Sequence, residues 1–75
     1  MKELVEVIAK ALVDSPEEVV VTEDKNEKGV LVTLKVAQSD IGKVIGKQGK
    51  VANAIRSVVK AAGIRNGVHV MVDIE

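Results

Sequence analysis

Two glycines three residues apart interrupt an otherwise helical part of this 75-residue chain. Gly46 and Gly49 enclose only Lys47 and Gln48, and apolar residues stand on both sides of the interruption. Because glycine readily adopts positive φ and lets another backbone approach closely, the pattern predicts a short helix, a tight loop and a longer helix. Backbone amides near a helix start, with positive charge beside them, suit a phosphate group. The rest of the fold must bring two helices together at this loop.

The segment before the loop begins with a predicted amphipathic helix over residues 3–13. Its apolar stripe at helical spacing consists of Leu4, Ile8, Ala11 and Leu12, widened by Val5. Val7 and Val13 fall off this stripe. Pro16 predicts the end of the helix, because the residue before a proline is disfavoured in the α region.

Two β-branched segments follow and predict a hairpin. Residues 19–23 read Val-Val-Val-Thr-Glu, residues 24–29 form a polar turn, and residues 30–36 alternate between apolar and other side chains. Ser39 is the expected N-cap of the short helix, with Asp40 in its first turn. These features place two antiparallel strands before the glycine loop.

The longer helix after the loop is predicted over residues 50–62, with Gly63 as the residue that ends it. Its expected buried face consists of Val51, Ala54, Ile55, Val58, Val59 and Ala62. Residues 68–74 alternate again and predict a third strand. The order helix-strand-strand-helix-helix-strand predicts an α+β two-layer sandwich, in which three helices cover one face of a three-stranded sheet.

Composition limits the class of protein. A chain of this length predicts one domain, residues 1–75, and the lack of aromatic residues leaves the core to aliphatic side chains. Without cysteine there is no disulfide or thiolate metal site. There is no apolar run of membrane-spanning length, and the N-terminus lacks a signal-peptide pattern. We therefore expect a cytoplasmic protein that does not enter a membrane.

Charge is divided unevenly along a chain whose formal net charge is zero. Between residues 41 and 72 there are six basic residues and no acid: Lys43, Lys47, Lys50, Arg56, Lys60 and Arg65. Such asymmetry indicates an anionic partner for one region. The alternative, that these are ordinary solvated charges, stays open on charge alone.

Catalytic and metal-binding motifs are absent from the sequence. Residues 42–48 differ from a phosphate-binding P-loop in two ways. Only three residues, instead of four, separate the first glycine, Gly42, from the Gly46-Lys47 pair, and Gln48 follows that pair where a P-loop has Ser or Thr. His69 has no second ligand nearby in the sequence, and no acid/base or nucleophile pair can be assembled. We expect no enzyme activity, no cofactor and no metal.

Residues 44–50, Val-Ile-Gly-Lys-Gln-Gly-Lys, followed by an amphipathic helix, resemble the signature of KH domains. The element order resembles the type II variant found in bacteria. The resemblance covers essentially the whole chain and is closest to the small stand-alone bacterial KH proteins of the KhpA type. It implies a mixed sheet in which the second strand is central, antiparallel to the first and parallel to the third.

The resemblance implies binding of single-stranded RNA, with single-stranded DNA as a further possibility, in a groove for about four nucleotides. The loop and its two helices would form one wall, and a strand edge with a variable loop the other. Lys47 and Gln48 would face phosphate, and the apolar residues before the loop would form the floor, some of them wholly buried. The expected RNA-binding residues are Ile41, Lys43, Val44, Ile45, Gly46, Lys47, Gln48, Gly49 and Lys50. Whether Arg56, Lys60 and Arg65 contact RNA stays open.

Two functions follow from this resemblance. The first is an RNA chaperone or post-transcriptional regulator, with weak binding because no aromatic side chain can stack on a base. The alternative is a protein-interaction or dimerisation module with secondary nucleic-acid binding. The resemblance implies a homodimer, or a heterodimer with a second KH-containing protein. Candidate interface residues are Val7, Val13, Ala61 and Ile64.

Overall fold

The structure, a computed structural model, describes all 75 residues. Three helices and three strands occur in the expected order: α1 Lys2–Leu12, β1 Val20–Asn26, β2 Gly29–Lys35, α2 Ile41–Ile45, α3 Lys50–Arg65 and β3 Val70–Ile74. Short 3₁₀ turns lie at Pro16–Glu18, Gln38–Asp40 and Lys47–Gly49. No helix is both long and apolar enough to cross a membrane.

The sheet has the strand order β1-β2-β3, with β2 antiparallel to β1 and parallel to β3. Val21 lies opposite Leu34, and Val30 lies opposite Val70, so the buried residues of all three strands share one face. The helices cover that face. The mixed sheet with a central second strand is therefore confirmed, and so is the α+β class.

The core is entirely aliphatic. The eleven clustered residues are Val5, Ala9, Val21, Val30, Val32, Leu34, Val36, Val44, Ile55, Val59 and Val70. They come from every helix and strand and from the residue after β2, so each element depends on the others for burial. Helix α2, which leads into the loop, contributes only one residue, Val44, to this cluster.

The buried face of α1 differs from the expected stripe. Val5 and Ala9 are buried, Leu4 and Ile8 are half-buried, and Leu12 is 38% exposed. The helix contacts β1 and β2, and Val5 and Ala9, one turn apart, are its two residues in the core cluster, whereas Ala11 is exposed.

Helix α3 also extends further than predicted. It continues through Gly63 to Arg65, and its buried residues are Ala52, Ile55, Val59 and Gly63. Gly63 is therefore inside the helix. A Cβ at this position would lie 2.6 Å from Val70 Cγ2 and 2.7 Å from the Val68 carbonyl oxygen, so glycine is needed for the helix to pack against β3.

Two strand boundaries and one helix cap differ as well. Strand β1 continues to Asn26, which pairs with Gly29 across a two-residue turn, and β3 begins at Val70. The Ser39 side chain makes no capping hydrogen bond, contrary to the expectation. Asp40 is buried instead, and its carboxylate accepts hydrogen bonds from the backbone N–H groups of Asp14 and Ser15, in the connection after α1.

Candidate nucleic-acid interface

The loop between α2 and α3 reverses the chain with three residues at positive φ. Gly46 has φ 73°, Gln48 has φ 57° and Gly49 has φ 75°. The loop is closed by backbone hydrogen bonds from Gly46 N–H to the Gly42 carbonyl at 2.8 Å and from Gly49 N–H to the Gly46 carbonyl at 3.2 Å. Helix α3 begins immediately after the loop, at Lys50.

The two loop glycines are required for different reasons. At Gly46, a Cβ would overlap the Val51 side chain, with the Val51 Cβ only 2.8 Å away. At Gly49, the nearest atom would be Asn53 Nδ2 at 3.9 Å, so space is available and only the left-handed backbone favours glycine. Another molecule can therefore approach Gly49 closely.

Gln48 is the only non-glycine residue with positive φ. Such a conformation costs about 1–3 kcal/mol and is often retained where a site needs it. The side chains of Lys47, Gln48 and Lys50 are all exposed, and neither lysine is in an ion pair. The loop thus presents two free positive charges and one amide side chain to solvent.

The apolar residues before the loop are not equally accessible. Ile45 is 39% exposed, Ile41 is half-buried and Val44 is fully buried. Ile45 and part of Ile41 can contact a ligand. Val44 cannot, which corrects its expected place in the groove floor: a helix of only five residues needs this side chain to hold it on the core.

Lys43, unlike the two loop lysines, is paired with acidic side chains. Its ammonium forms an ion pair with Asp14 and lies 3.8 Å from Asp40 Oδ1. At 3.6 residues per turn, Lys43 and Ile45 are separated by about 160° around α2. Because the two side chains point to opposite flanks, one groove cannot readily use both of them.

A cleft lies between α3 and β3. Six residues line it: Arg56, Lys60, His69, Val70, Met71 and Val72. Gly63 faces Val70, whereas Arg56 lies beside Val72, so α3 and β3 run in opposite directions. The start of α3, where the loop lies, is therefore at the same end of the cleft as the end of β3.

Arg56 crosses this cleft. Its Nε donates to the Val72 carbonyl oxygen at 3.4 Å, and its Nη1 donates to Asn53 Oδ1, also at 3.4 Å. Guanidinium has five N–H donors, so three remain available. Asn53 in turn lies near Gly49, which connects the cleft to the loop.

Strand β3 is at the edge of the sheet and has free backbone groups. The His69 carbonyl accepts from Val30 N–H, and Glu75 N–H donates to the Leu34 carbonyl, both at 2.8 Å. In a parallel pair the residues that bond to the neighbour alternate, so the N–H and C=O groups of Val70, Val72 and Ile74 face away from β2. Apart from the Val72 carbonyl oxygen, which already accepts from Arg56 Nε, these groups can bond to the edge of a base.

The unpaired basic side chains of the loop and α3 favour an anionic ligand. Of the six basic residues between 41 and 72, only Lys43 is in an ion pair. Lys47, Lys50, Arg56 and Lys60 lie free on the loop and α3. No group of three or more His, Cys, Asp or Glu side chains is arranged to hold a metal ion.

The structure answers part of what the sequence left open. Arg56 and Lys60 line the cleft, while Arg65 is exposed and does not line it. His69, which has no second metal ligand nearby in the sequence, also lines the cleft. The spacing of Arg56 and Lys60 by four residues indicated a shared helix face. The position of β3 beside this face depends on the tertiary structure and does not follow from the local sequence.

A family model described as "KhpA/KhpB, KH domain" matches residues 2–74. The chain belongs to this KH-domain family. Two relatives are each named "RNA-binding protein KhpA": one from Clostridium perfringens is 58% identical over 74 residues, and one from Clostridium acetobutylicum is 54% identical. Each alignment covers 99% of this chain and 99% of the relative, so KH-family membership applies to the full length.

A more distant relative and a solved structure agree with this assignment. The protein of the same name from Aquifex aeolicus is 45% identical, over 99% of this chain and 94% of its own. A crystal structure of a variant of Aquifex aeolicus Era bound to GDP and aluminium fluoride matches with a TM-score of 0.70 at 18% identity. That match covers 97% of this chain and 28% of Era, and it supports the KH fold alone.

Proposed function

We propose that this protein binds single-stranded RNA with the Gly46–Gly49 loop and the cleft between α3 and β3. The observation that carries the proposal is that the loop and the cleft beside the edge strand β3 both carry basic side chains without an acidic partner: Lys47 and Lys50 at the loop, and Arg56 and Lys60 in the cleft. The names of the full-length relatives support it, since each is called an RNA-binding protein. We further propose that the protein is one domain over residues 1–75 and acts by binding alone, in the cytoplasm, as an RNA chaperone or post-transcriptional regulator.

In this proposal the loop binds the sugar-phosphate backbone. Gly49 permits close approach of the RNA chain, while Lys47 and Lys50 neutralise phosphate and Gln48 donates from its amide. Lys47 and Gln48 are exposed on the loop, where a phosphate can reach both.

The bases would lie in the cleft, beside Ile45 and along β3. Arg56 and the free backbone groups of β3 can bond to base edges, and about four nucleotides fill such a groove. Because no aromatic residue stacks on a base, we expect weak binding and limited base preference. Nothing in this arrangement requires a 2′-hydroxyl, so single-stranded DNA is expected to bind as well.

The test is the double substitution Lys47→Asp and Gln48→Asp, which puts negative charge on the loop. Binding is measured by fluorescence anisotropy with a labelled oligouridine of about ten nucleotides, long enough to fill the groove. We expect affinity to fall at least about tenfold, equivalent to 1.4 kcal/mol, because phosphate would meet two carboxylates. Circular dichroism should show an unchanged fold.

The matched control is Lys28→Asp with Thr22→Asp. It makes the same change in net charge at exposed positions on the hairpin, away from the loop. The control should retain most of the affinity. Equal binding by the loop variant and the wild-type protein would overturn the site assignment.

A second function, association through a helical face, has its own observation. A groove between α1 and α3 is lined only by apolar residues: Ile8, Leu12, Val51, Ala54, Ile55 and Val58. Val7 and Ile64 are 68% and 69% exposed on the same helices, and Ala61 is exposed, whereas Val13 is half-buried and packs on the core. We propose that α1 and α3 form the interface of a homodimer, or of a heterodimer with a second KH-containing protein.

Pairing would strengthen a weak RNA binder. Two grooves held together can engage one RNA, so the second contact becomes intramolecular and the overall affinity rises without new contacts. The joint KhpA/KhpB description of the family supports a KH-containing partner. Dimerisation and RNA binding are therefore complementary in this proposal.

A further inference from the structure

Asp40 is the one buried charged side chain of the protein, with 1% of its surface exposed. Its Oδ1 accepts a hydrogen bond from Asp14 N–H at 3.2 Å, and its Oδ2 accepts one from Ser15 N–H at 3.1 Å. A buried carboxylate is costly unless it is hydrogen-bonded and paired. The backbone of the connection between α1 and β1 provides the hydrogen bonds.

Lys43 provides the pairing charge. Its ammonium lies 3.8 Å from Asp40 Oδ1, one turn further along the chain, and it also forms an ion pair with the exposed Asp14. The hydrogen bond to Asp14 raises the pKa of Lys43, against partial desolvation. Asp14, Asp40 and Lys43 thus form one network between segments that are more than 20 residues apart.

This network lies at the start of the helix that leads into the loop. Helix α2 has five residues, is held on the core by buried Val44 and half-buried Ile41, and passes directly into Gly46. Its other attachment to the end of α1 is the network of Asp14, Asp40 and Lys43. Movement of α2 would move the loop with it, because Gly46 N–H is bonded to the Gly42 carbonyl.

We propose that Asp14, Asp40 and Lys43 form a clamp that positions α2 and the Gly46–Gly49 loop for RNA. In this view Lys43 is a positioning residue, which acts on RNA binding through the clamp and does not contact phosphate. The inference rests on the proposed RNA-binding function. It departs from the sequence-based expectation, which grouped Lys43 with Lys47 and Lys50.

Salt dependence distinguishes a positioning lysine from a phosphate-binding one. A lysine that neutralises one phosphate of a single strand contributes about 0.7 to the slope of log K against log salt. Lys47→Met should reduce the slope by about this amount. Lys43→Met should leave the slope unchanged and weaken binding of labelled oligouridine by up to about tenfold at every salt concentration. Lys28→Met, in the hairpin turn, should change neither quantity.

Equal loss of slope in Lys43→Met and Lys47→Met would overturn the positioning role, because Lys43 would then be a phosphate ligand. Wild-type affinity for oligouridine in Lys43→Met would overturn it too. Both comparisons use the full chain.

Hydrogen exchange tests the clamp without RNA. Asp40→Asn keeps the shape of the side chain and removes its charge. We expect faster exchange at the amides of Asp14, Ser15 and the loop, with β2 unchanged. Unchanged exchange at these amides would overturn the clamp. Faster exchange in β2 as well would indicate global unfolding, and Lys43→Met then decides, since its exposed side chain can be removed without opening the core.

The two readouts separate the clamp from the proposed function. If wild-type protein does not bind oligouridine and Asp40→Asn still speeds hydrogen exchange at these amides, the clamp stands as a structural device and the RNA proposal fails. If wild-type protein binds and the amides are unaffected, the RNA proposal stands and the clamp fails.

Discussion

At the scale of single residues, two glycines within helices have opposite roles. Gly63 is buried and faces β3, where a Cβ would lie 2.6 Å from a Val70 methyl group and 2.7 Å from the Val68 carbonyl oxygen. Gly42 is exposed in α2, and a Cβ there would meet nothing within 4 Å. Only the first position needs glycine for the fold.

We therefore expect Gly63→Ala to destabilise the protein and Gly42→Ala to stabilise it. Overpacking costs about 1–3 kcal/mol, and alanine recovers up to about 1 kcal/mol of helix propensity, so Gly63→Ala should have a small to moderate net cost. Gly42→Ala should gain about 0.5–1 kcal/mol. Thermal unfolding measures both, with about 4–8 °C expected per kcal/mol in a domain of this size. A higher melting temperature for Gly63→Ala would contradict the packing argument.

At the scale of elements, α1 and α3 present more apolar surface than the sheet can cover. The expected buried face of α3 included Val51, Ala54 and Val58, yet the structure buries Ala52 and Gly63 instead, and Val58 is 50% exposed. The small residues allow α3 to approach the sheet. The larger ones are left on the groove shared with α1, which is the surface proposed for dimerisation.

A charged residue on this surface should prevent pairing. Val58→Lys adds a cation to a side chain that lines this groove and is 50% exposed, so the monomer fold should persist while dimer mass is lost. Light scattering after size-exclusion chromatography measures the mass. The matched control is Val20→Lys on the opposite face of the sheet, where 51% of the valine is exposed. An unchanged mass for Val58→Lys would place the interface elsewhere.

At the scale of the whole molecule, the net charge is zero, so no general attraction to polyanions is available. The proposed RNA binding therefore depends on the local group of free cations on the loop and α3. This makes the number of phosphate contacts small and measurable.

If about three phosphates are neutralised, log K should fall with log salt at a slope near −2. Anisotropy titrations of labelled oligouridine between about 50 and 300 mM potassium chloride give this slope. An affinity independent of salt would contradict binding through the basic loop and cleft.

The sequence by itself determined the order of elements, the position of the glycine loop and the class of the fold. These follow from local properties: apolar periodicity separates helices from strands, and Gly46 and Gly49 mark where a helix cannot continue. The aliphatic composition also determined that the core contains no aromatic packing. Each of these is decided by residues close together in the chain.

Only the tertiary structure decided which side chains are buried, paired or free. Gly63 lies inside α3 and must be glycine because β3 packs against it, and Lys43 is not free because Asp14, 29 residues away, is its partner. Arg56 and Lys60 join the candidate site because α3 packs beside the edge strand. Such facts depend on contacts between distant segments, and local periodicity contains no information about which faces meet.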